Sequence, residues 1–498
     1  MQFNHNAHLG CWLVNGGSVA HMNALAVNQL SLVEQSDSRE VDLARELLRQ
    51  YGVGGTEYTA YPGVERFAEF FDGAALARAI ATRAPLAALQ PLSLDVRVPF
   101  CESQCVQCTR QTVVGRSRAA VEPYLTAMGR ELDILEPLLG RSPTVSQMQL
   151  GGGTPNFLTA EQLEQLVRRV RECFNFAAQG DYLIEIDPSR FADEEIRAMA
   201  SLGFNRMNLG LQDFHPKVQV AVNRIQFEDR TAAVMQTAKA AGFRSVGVEL
   251  WYGLPTQTRE AFSFSLQRLV DLNPDRISLL RYRHDPLRFP TQRAFRRDVL
   301  PDRAACVDMM LEARSRLGTA GYVDVGLDLF VRADEDLAIA MRRGRLQRNS
   351  WGYSSQTEHD RIGLGLGAIS RIGHSYAQNL HALDAYHDRL EQGVLPVMRG
   401  IELSRDDLVR HAVIRALLGR GEISIESIEI AYLVNFRSHF ADECQQLETM
   451  AKAGLLELTP EWITLTPDGR LVVRAVCAVF DRYRQTGSQA PVFGMVTD

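Results

Sequence analysis

At 498 residues, with a net charge of −6 and 46% hydrophobic residues, the chain is long enough for a large catalytic unit plus a smaller one. The charge gives no electrostatic case for nucleic acid or an anionic membrane as partner. No apolar run is long enough to span a bilayer, and Asn4, His5 and Asn6 are the wrong flank for a signal peptide. The eight cysteines are scattered except for one trio, which fits reduced cytosolic thiols. The expectation is a soluble, cytoplasmic protein.

Residues 1–40 are irregular and polar and read as a mobile N-terminal extension. His5, His8, Cys11 and His21 have no periodic element there to fix them as a metal site. A short helix over Val41–Gln50 opens a substrate-covering segment, 41–92. Within it Gly54–Pro62 reads as an ordered loop, because aromatics such as Tyr58 and Tyr61 want burial. From Ser93 strands and helices alternate. The predicted strands are Ser93–Val98, Ser146–Leu150, Tyr182–Asp187, Arg206–Gln212, Ser245–Tyr252 and Arg276–Tyr282. One intervening helix carries Leu125, Met128, Leu132, Leu135 and Leu139 at helical spacing. Another opens with Thr159-x-x-Gln162, a capping box. Such alternation means parallel strands joined by crossover helices. Six units are too few for a closed eight-unit barrel, and no Gly-x-Gly-x-x-Gly turn marks a dinucleotide fold. The predicted fold is therefore α/β, a partial (β/α)6 barrel over 93–330.

A connecting segment follows over 331–402. Residues 403–485 then run as helices without intervening strands, up to a short hairpin around Thr459-Pro460 and a final helix over Gly469–Arg484. This pattern predicts a mainly helical, winged-helix-like C-terminal domain, with 486–498 as a tail. The helix before the hairpin is acidic (Asp442, Glu443, Glu448), which is wrong for phosphate contacts. A substrate lid is the better reading.

Sites in such folds sit at the C-terminal ends of the strands, and the unusual residues fall there. Cys101-x-x-x-Cys105-x-x-Cys108 follows the first strand and Gly151-Gly152-Gly153-Thr154-Pro155 the second. Glu185 and Asp187 close the third, Gln212 and Asp213 the fourth, Glu249 the fifth, and Arg281-Tyr282-Arg283 the sixth. Structural zinc wants four ligands, so a zinc loop would need a distant residue such as His284. A cubane cluster also normally takes four thiolates. Three leave one iron open, able to chelate the amino and carboxylate groups of a methionine-like ligand. Three consecutive glycines let bare backbone approach a ligand. Glu185 sits in an otherwise apolar strand, where a carboxylate is costly unless paired. A ligand hydroxyl or ammonium could supply the partner, and so could a salt bridge to Arg206. Asp95 and Arg97 share a strand face by period two and could pair with each other or with a ligand.

These motifs, with Pro99-Phe100 before the trio, Ile184-Glu185-Ile186-Asp187-Pro188, Gly203-Phe204-Asn205-Arg206, Gly210-x-Gln212-Asp213-Phe214 and Tyr252-Gly253-Leu254-Pro255-x-Gln257-Thr258, resemble the radical S-adenosylmethionine (SAM) superfamily. They are similar in particular to its HemN branch, the oxygen-independent coproporphyrinogen III dehydrogenases. Gly55-x-x-Tyr58-Thr59-x-Tyr61-Pro62, Arg348-Asn349-x-x-Gly352-Tyr353 and Ala368-Ile369-Ser370-x-Ile372-Gly373 extend the resemblance over about residues 42–485. It implies one 4Fe–4S cluster on Cys101, Cys105 and Cys108, with SAM on the open iron. Reductive cleavage of SAM would yield a 5′-deoxyadenosyl radical that abstracts a substrate hydrogen. By position, Gly152, Glu185 and Ile369 would hold this SAM, and Gly153, Thr154, Gln212, Arg224 and Glu249 a second one. An external electron donor of flavodoxin or ferredoxin type, a small-molecule substrate and a monomeric chain are implied as well.

Several positions depart from the branch. Asp95 and Arg97 stand where it has Tyr and His, Gln107 where it has an aromatic residue, and Arg110 where it has a fourth cysteine. Arg283 replaces a small residue and Glu249 an aspartate. Asp95, Arg97 and Arg110 are thus the candidate catalytic residues peculiar to this chain. Two reactions remain open. The altered mouth favours a tailoring enzyme, a radical methyltransferase or cyclopropanase in which the second SAM donates a carbon. Full-length colinearity favours oxidative decarboxylation of porphyrinogen propionates to vinyl groups. A haem-binding or haem-delivery protein is the reading from another class, opposed by the intact SAM motifs.

Overall fold

The computed structural model describes residues 41–51, 61–82, 90–110, 112–115, 117–140, 143–190, 192–349 and 352–486. The expected extension over 1–40 with its histidines, most of the Gly54–Pro62 loop and nearly all of the tail lie outside the described residues. Six strands follow one another in space as they do in sequence: Leu92–Val98 (β1), Thr144–Gly152 (β2), Asn175–Ile186 (β3), Arg206–Gln212 (β4), Ser245–Tyr252 (β5) and Arg276–Arg281 (β6). Every neighbouring pair among them is parallel. This is the predicted partial barrel, with strand ends within a few residues of those expected, except that β3 begins seven residues earlier than Tyr182.

The alternation inside each strand explains the layering. In β1, Leu92, Leu94, Val96 and Val98 are at most 1% exposed. Ser93, Asp95 and Arg97 take the opposite face. The helix Val121–Leu139 (α1) covers the apolar side with Tyr124, Met128, Leu132 and Leu135. The helix Ala160–Cys173 (α2) starts at the predicted capping box: Gln162 N donates to Thr159 Oγ1 (3.2 Å) and Thr159 N to Gln162 Oε1 (3.1 Å). It buries Leu163, Leu166, Val167 and Val170, each worth about 1.5–3 kcal/mol relative to exposure.

The sheet continues beyond the six expected strands on both sides. Next to β6 lies an antiparallel hairpin, Tyr322–Gly326 (β7) and Leu329–Arg332 (β8), which runs across the expected boundary at 330. Beside β1 the segment expected to connect two domains adds Asp360–Leu364 (β9), parallel to β1. Ile369–Ile372 (β10), Ser375–Asn379 (β11) and Val397–Glu402 (β12) then extend the sheet antiparallel, making twelve strands in all. The C-terminal part packs helices against a three-stranded sheet of Glu422–Ser424, Trp462–Leu465 and Leu456–Leu458, as a winged-helix pattern requires. The expected last helix is instead three short ones, Pro467–Leu471, Val473–Val479 and Arg482–Thr486. Val472 leaves helical geometry (φ −114°, ψ 24°) within a run of β-branched residues, and the Asp481 carboxylate caps the last piece by accepting from Tyr483 N (2.9 Å). Among the described residues no helix is long and apolar enough to cross a membrane.

Candidate active site

The three cysteines lie on the loop that leaves β1, where Pro99 ends the ladder. Gly153 N donates to Val98 O (2.7 Å) and Thr154 N to Phe100 O (2.8 Å), binding the glycine turn to the root of that loop. A Cβ on residue 153 would stand 2.6 Å from Phe100 O, and one on residue 151 would stand 2.6 Å from Glu185 Oε2. At residue 153 glycine is thus required by close approach to backbone, whereas at 151 the neighbour is a side-chain end, and Gly152 adds a φ of +106°.

One cavity is lined by all three cysteines together with Gly152, Gly153, Thr154, Glu185, Gln212, Arg224 and Glu249. The three metal-ligand candidates and seven of the eight predicted cofactor residues therefore meet. The eighth, Ile369, does not line it. Ile369 opens β10, packs with Phe67, Tyr376 and Leu403, and accepts a hydrogen bond from Arg361 Nε through its carbonyl (3.1 Å). A larger cavity of about 450 Å³ shares Arg110, Glu185, Asn208 and Glu249 with the first and adds Arg97, Gln147, Gln149, Arg206 and Arg276. Asp95 is buried beneath this wall, and its carboxylate accepts from Arg97 Nε (3.2 Å). The pairing of these two residues with each other is realised.

Burial pushes the Cys101 thiol up to about 11, against the hydrogen bond from Thr154, and the Cys108 thiol also rises. Arg224 Nη1 lies 3.4 Å from Cys105 Sγ, while its Nη2 donates to Gly210 O (2.8 Å) and faces Asp187 (3.2 Å). Burial lowers the Arg224 pKa, but Asp187, Cys105 and Glu249 outweigh it and the net shift is upward. Arg224 follows the helix Pro216–Ala221 instead of lying on it, held beyond Asn223 at φ +53°. Three half-buried cysteines on one wall beside the mostly buried Arg224 suit an anionic iron–sulfur cluster, whose irons replace the thiol protons. No group of three His, Cys, Asp or Glu among the described residues is placed to hold a single metal ion. His284 instead shares a hydrogen bond with Tyr282 (3.1 Å), so a zinc loop finds no fourth ligand there.

Glu185 finds its partners on the neighbouring strand and on the cysteine loop. Gln149 Nε2 donates to one carboxylate oxygen (2.7 Å) and Arg110 Nη1 to the other. Arg206, weighed as the partner, pairs instead with Asp181 and Asp336. Arg110 also reaches Gly152 O (3.4 Å). Glu185 and then Glu249 raise its pKa. Glu249 accepts from Asn208 (2.8 Å), and burial lifts its carboxyl above the usual range although Arg110 pulls the other way. Gln107 donates from the cysteine loop to Gln212, whose φ of +82° aims it inward. Arg283 pairs with Asp285 (3.2 Å) and lines neither cavity.

Asp213 serves as a brace. Gln257 (2.6 Å), Ser265 (2.7 Å) and His215 N (2.5 Å) all donate to its carboxylate. These bonds fix the turn that carries Gln212. Sequence reasoning missed Gln149 and Asn208. Their signal is the polar alternation in β2 (Gln147, Gln149) and β4 (Arg206, Asn208), which marks a solvated barrel interior.

A parallel half-barrel carrying a three-cysteine loop and a glycine turn at its C-terminal rim defines a radical SAM enzyme, and residues 96–269 match the radical SAM superfamily. Its cofactors are one 4Fe–4S cluster and SAM, one or two molecules. The oxygen-independent coproporphyrinogen III oxidase of Pseudomonas aeruginosa is 39% identical over 443 residues, 88% of this chain and 95% of that one. The Escherichia coli enzyme is 37% identical over 459 residues, 92% of this chain and 99% of that one. The solved structure of coproporphyrinogen III oxidase (HemN) from Escherichia coli superimposes with a TM-score of 0.82 at 38% identity, covering 86% and 97% of the two chains. The chain belongs to the oxygen-independent coproporphyrinogen III oxidase family. The preference for a carbon-transferring tailoring enzyme, drawn from the altered mouth, gains no support from these matches: relatives colinear over almost their whole length are oxidases, which backs the alternative better.

Proposed function

We propose that this protein oxidatively decarboxylates propionate side chains of coproporphyrinogen III to vinyl groups. Nearly full-length colinearity with the oxidases carries this reading. When bound, the cluster and SAM supply reductive cleavage of the sulfonium and hydrogen-atom abstraction from the substrate. In this reading Cys101, Cys105 and Cys108 hold the cluster, and Arg224 offsets its negative charge from beside Cys105. Gly152 and Glu185 receive one SAM, and Gly153, Thr154, Gln212, Arg224 and Glu249 the second. The continuity of the two cavities through Arg110, Glu185, Asn208 and Glu249 lets substrate approach that site from the barrel interior. Arg97 and Arg110 on the same wall suit a polycarboxylate. Asp95 orients Arg97.

Residues 41–92 and 403–485 act as covers, tied by Tyr61 Oη donating to Asp407 (2.8 Å). The remainder of the reading is a monomeric, cytoplasmic enzyme served by a flavodoxin- or ferredoxin-type donor.

Anaerobic incubation of reconstituted enzyme with SAM, reductant and coproporphyrinogen III tests the assignment. Decarboxylated porphyrinogen, carbon dioxide and 5′-deoxyadenosine should form together, without S-adenosylhomocysteine. Unconsumed coproporphyrinogen in the presence of a cluster that cleaves SAM would sink it.

A further inference from the structure

We propose that Arg110 is a switching specificity residue: it is the counter-ion of Glu185 until SAM takes that carboxylate, and then, with Arg97, it seats a carboxylate of the substrate. The part concerning the substrate rests on the function proposed above. The part concerning SAM does not depend on which substrate is used.

Arg110 Nη1 donates to Glu185 and, at 3.4 Å, faces Gly152 O. These are two of the acceptors assigned to SAM. In this proposal the guanidinium and SAM compete for these two oxygens. Gln149 Nε2 donates to the other oxygen of Glu185 (2.7 Å), so a SAM group that approaches this carboxylate meets Arg110 on one oxygen and Gln149 on the other. The exchange also balances charge. Glu185 and Glu249 are neighbouring carboxylates in the same enclosed wall, and a buried charge left without its partner is strongly unfavourable. SAM carries a sulfonium, an ammonium and a carboxylate, a net single positive charge, which replaces the charge that Arg110 withdraws.

The released side chain has a place to go. Arg110 is 43% exposed, into the cavity space, and lines both the cluster cavity and the larger one. Arg97 flanks Gly152 from the other side, since a Cβ on residue 152 would stand 3.2 Å from Arg97 Cβ. Arg97 spends only Nε on Asp95 (3.2 Å and 3.4 Å to the two oxygens), and no bond to its two terminal nitrogens is found among the described residues. Two arginines lining one cavity suit a carboxylate by charge-assisted, bidentate bonding. Ion pairing stabilises a carboxylate against loss as carbon dioxide. The seat therefore suits a propionate that the product retains, and not the one that leaves.

The test uses reconstituted holoenzyme of wild type, R110A, R110K and R97A, each checked for equal iron content. Equilibrium dialysis with labelled SAM and no substrate reads the first half. R110A should bind SAM several-fold more tightly than wild type, and R110K should lie between. Weaker SAM binding in R110A would show that Arg110 supports SAM and would overturn the proposal. KM for coproporphyrinogen III at saturating SAM reads the second half. R110A and R97A should each raise it about tenfold with a smaller change in kcat, and R110K should recover part of the loss. An unchanged KM in both alanine variants removes the carboxylate seat. If wild type fails to turn over coproporphyrinogen III, the proposed function falls, and the SAM measurement alone then decides whether Arg110 competes for Glu185.

Discussion

Glu131 shows what one buried carboxylate does for the site without touching it. It is 1% exposed and accepts from Tyr386 Oη (2.6 Å), Asn379 Nδ2 (2.7 Å) and Gly365 N (2.8 Å). Next to it Tyr124 Oη donates to Arg97 O (2.6 Å) and accepts from Leu366 N (3.1 Å). The pair thus ties the loop after β9 to the strand that leads into the cysteines. Burial raises the Glu131 pKa from 4.5 to about 7, against the pull of the three donors. The folded protein therefore holds this proton more tightly than the unfolded chain. The linked stabilisation is complete below the unfolded value and is lost as pH rises through about 7. Denaturant titrations of wild type should show stability falling over that window, and E131Q should flatten the fall. A wild-type-to-E131Q difference that is the same at every pH would contradict the assignment. E131A should cost more at any pH, because it strands donors at about 1–3 kcal/mol each. Also at this scale, alanine at Cys101, Cys105 or Cys108 should abolish iron binding and the cluster's visible absorbance. Alanine at Cys173, which sits beside Arg169 (2.9 Å), should leave iron content at the wild-type level.

Among the elements, the junction of β1 with the glycine turn is tight. A methyl group on residue 153 would meet the backbone oxygens of Phe100 at 2.6 Å and Pro99 at 2.7 Å, neither of which can rotate away. G153A should therefore shift the root of the cysteine loop, lower iron incorporation and cost about 1–3 kcal/mol. Gly129 is the contrasting case. It lies in α1 with open space where a Cβ would be, so G129A should stabilise by about 0.5–1 kcal/mol through helix propensity and leave iron content alone. If both variants lost iron equally, close approach would not be the cause.

The same elements show what could be read from the chain. Strands β4 and β5 match their expected limits because polar and apolar residues alternate between barrel interior and helix layer. The capping box at Thr159 is a purely local signal. Strands β9 to β12 escaped because they are short, several are buried on both faces, and Gly363, Gly365 and Gly367 interrupt any periodicity. At the site, the residue types and their rim placement were legible, but the pairings were not. Arg110 and Glu185 are 75 residues apart, and nothing local distinguishes that pairing from the one expected with Arg206. The altered mouth was legible as well, but it was weighed above full-length colinearity, and the similarity to the oxidases backs the colinear reading better.

At the scale of the whole molecule, the segments proposed as covers are joined to each other and to the barrel by polar contacts, of which three bear on closure. Tyr61, 2% exposed, donates to Asp407 (2.8 Å). Arg66 donates to Tyr483 O (2.6 Å). Arg474 from the C-terminal part pairs with Asp328 (3.1 Å), in the hairpin turn where Leu327 and Asp328 both have positive φ. A cover that excludes solvent should matter most after SAM has been cleaved, when a hydrogen taken from the wrong donor wastes the cofactor. Y61F removes one hydroxyl that donates to a carboxylate and changes little else, so it should cost about 1.5–3 kcal/mol of stability. It should also raise the ratio of 5′-deoxyadenosine formed to carbon dioxide released. T159A supplies the comparison, since it cuts the capping box of α2 on the outer layer (3.2 Å) at about 1 kcal/mol and is remote from the covers. If stability alone governed coupling, the two variants would raise the ratio in proportion to their destabilisation. If closure governs it, Y61F raises the ratio and T159A leaves it at the wild-type value.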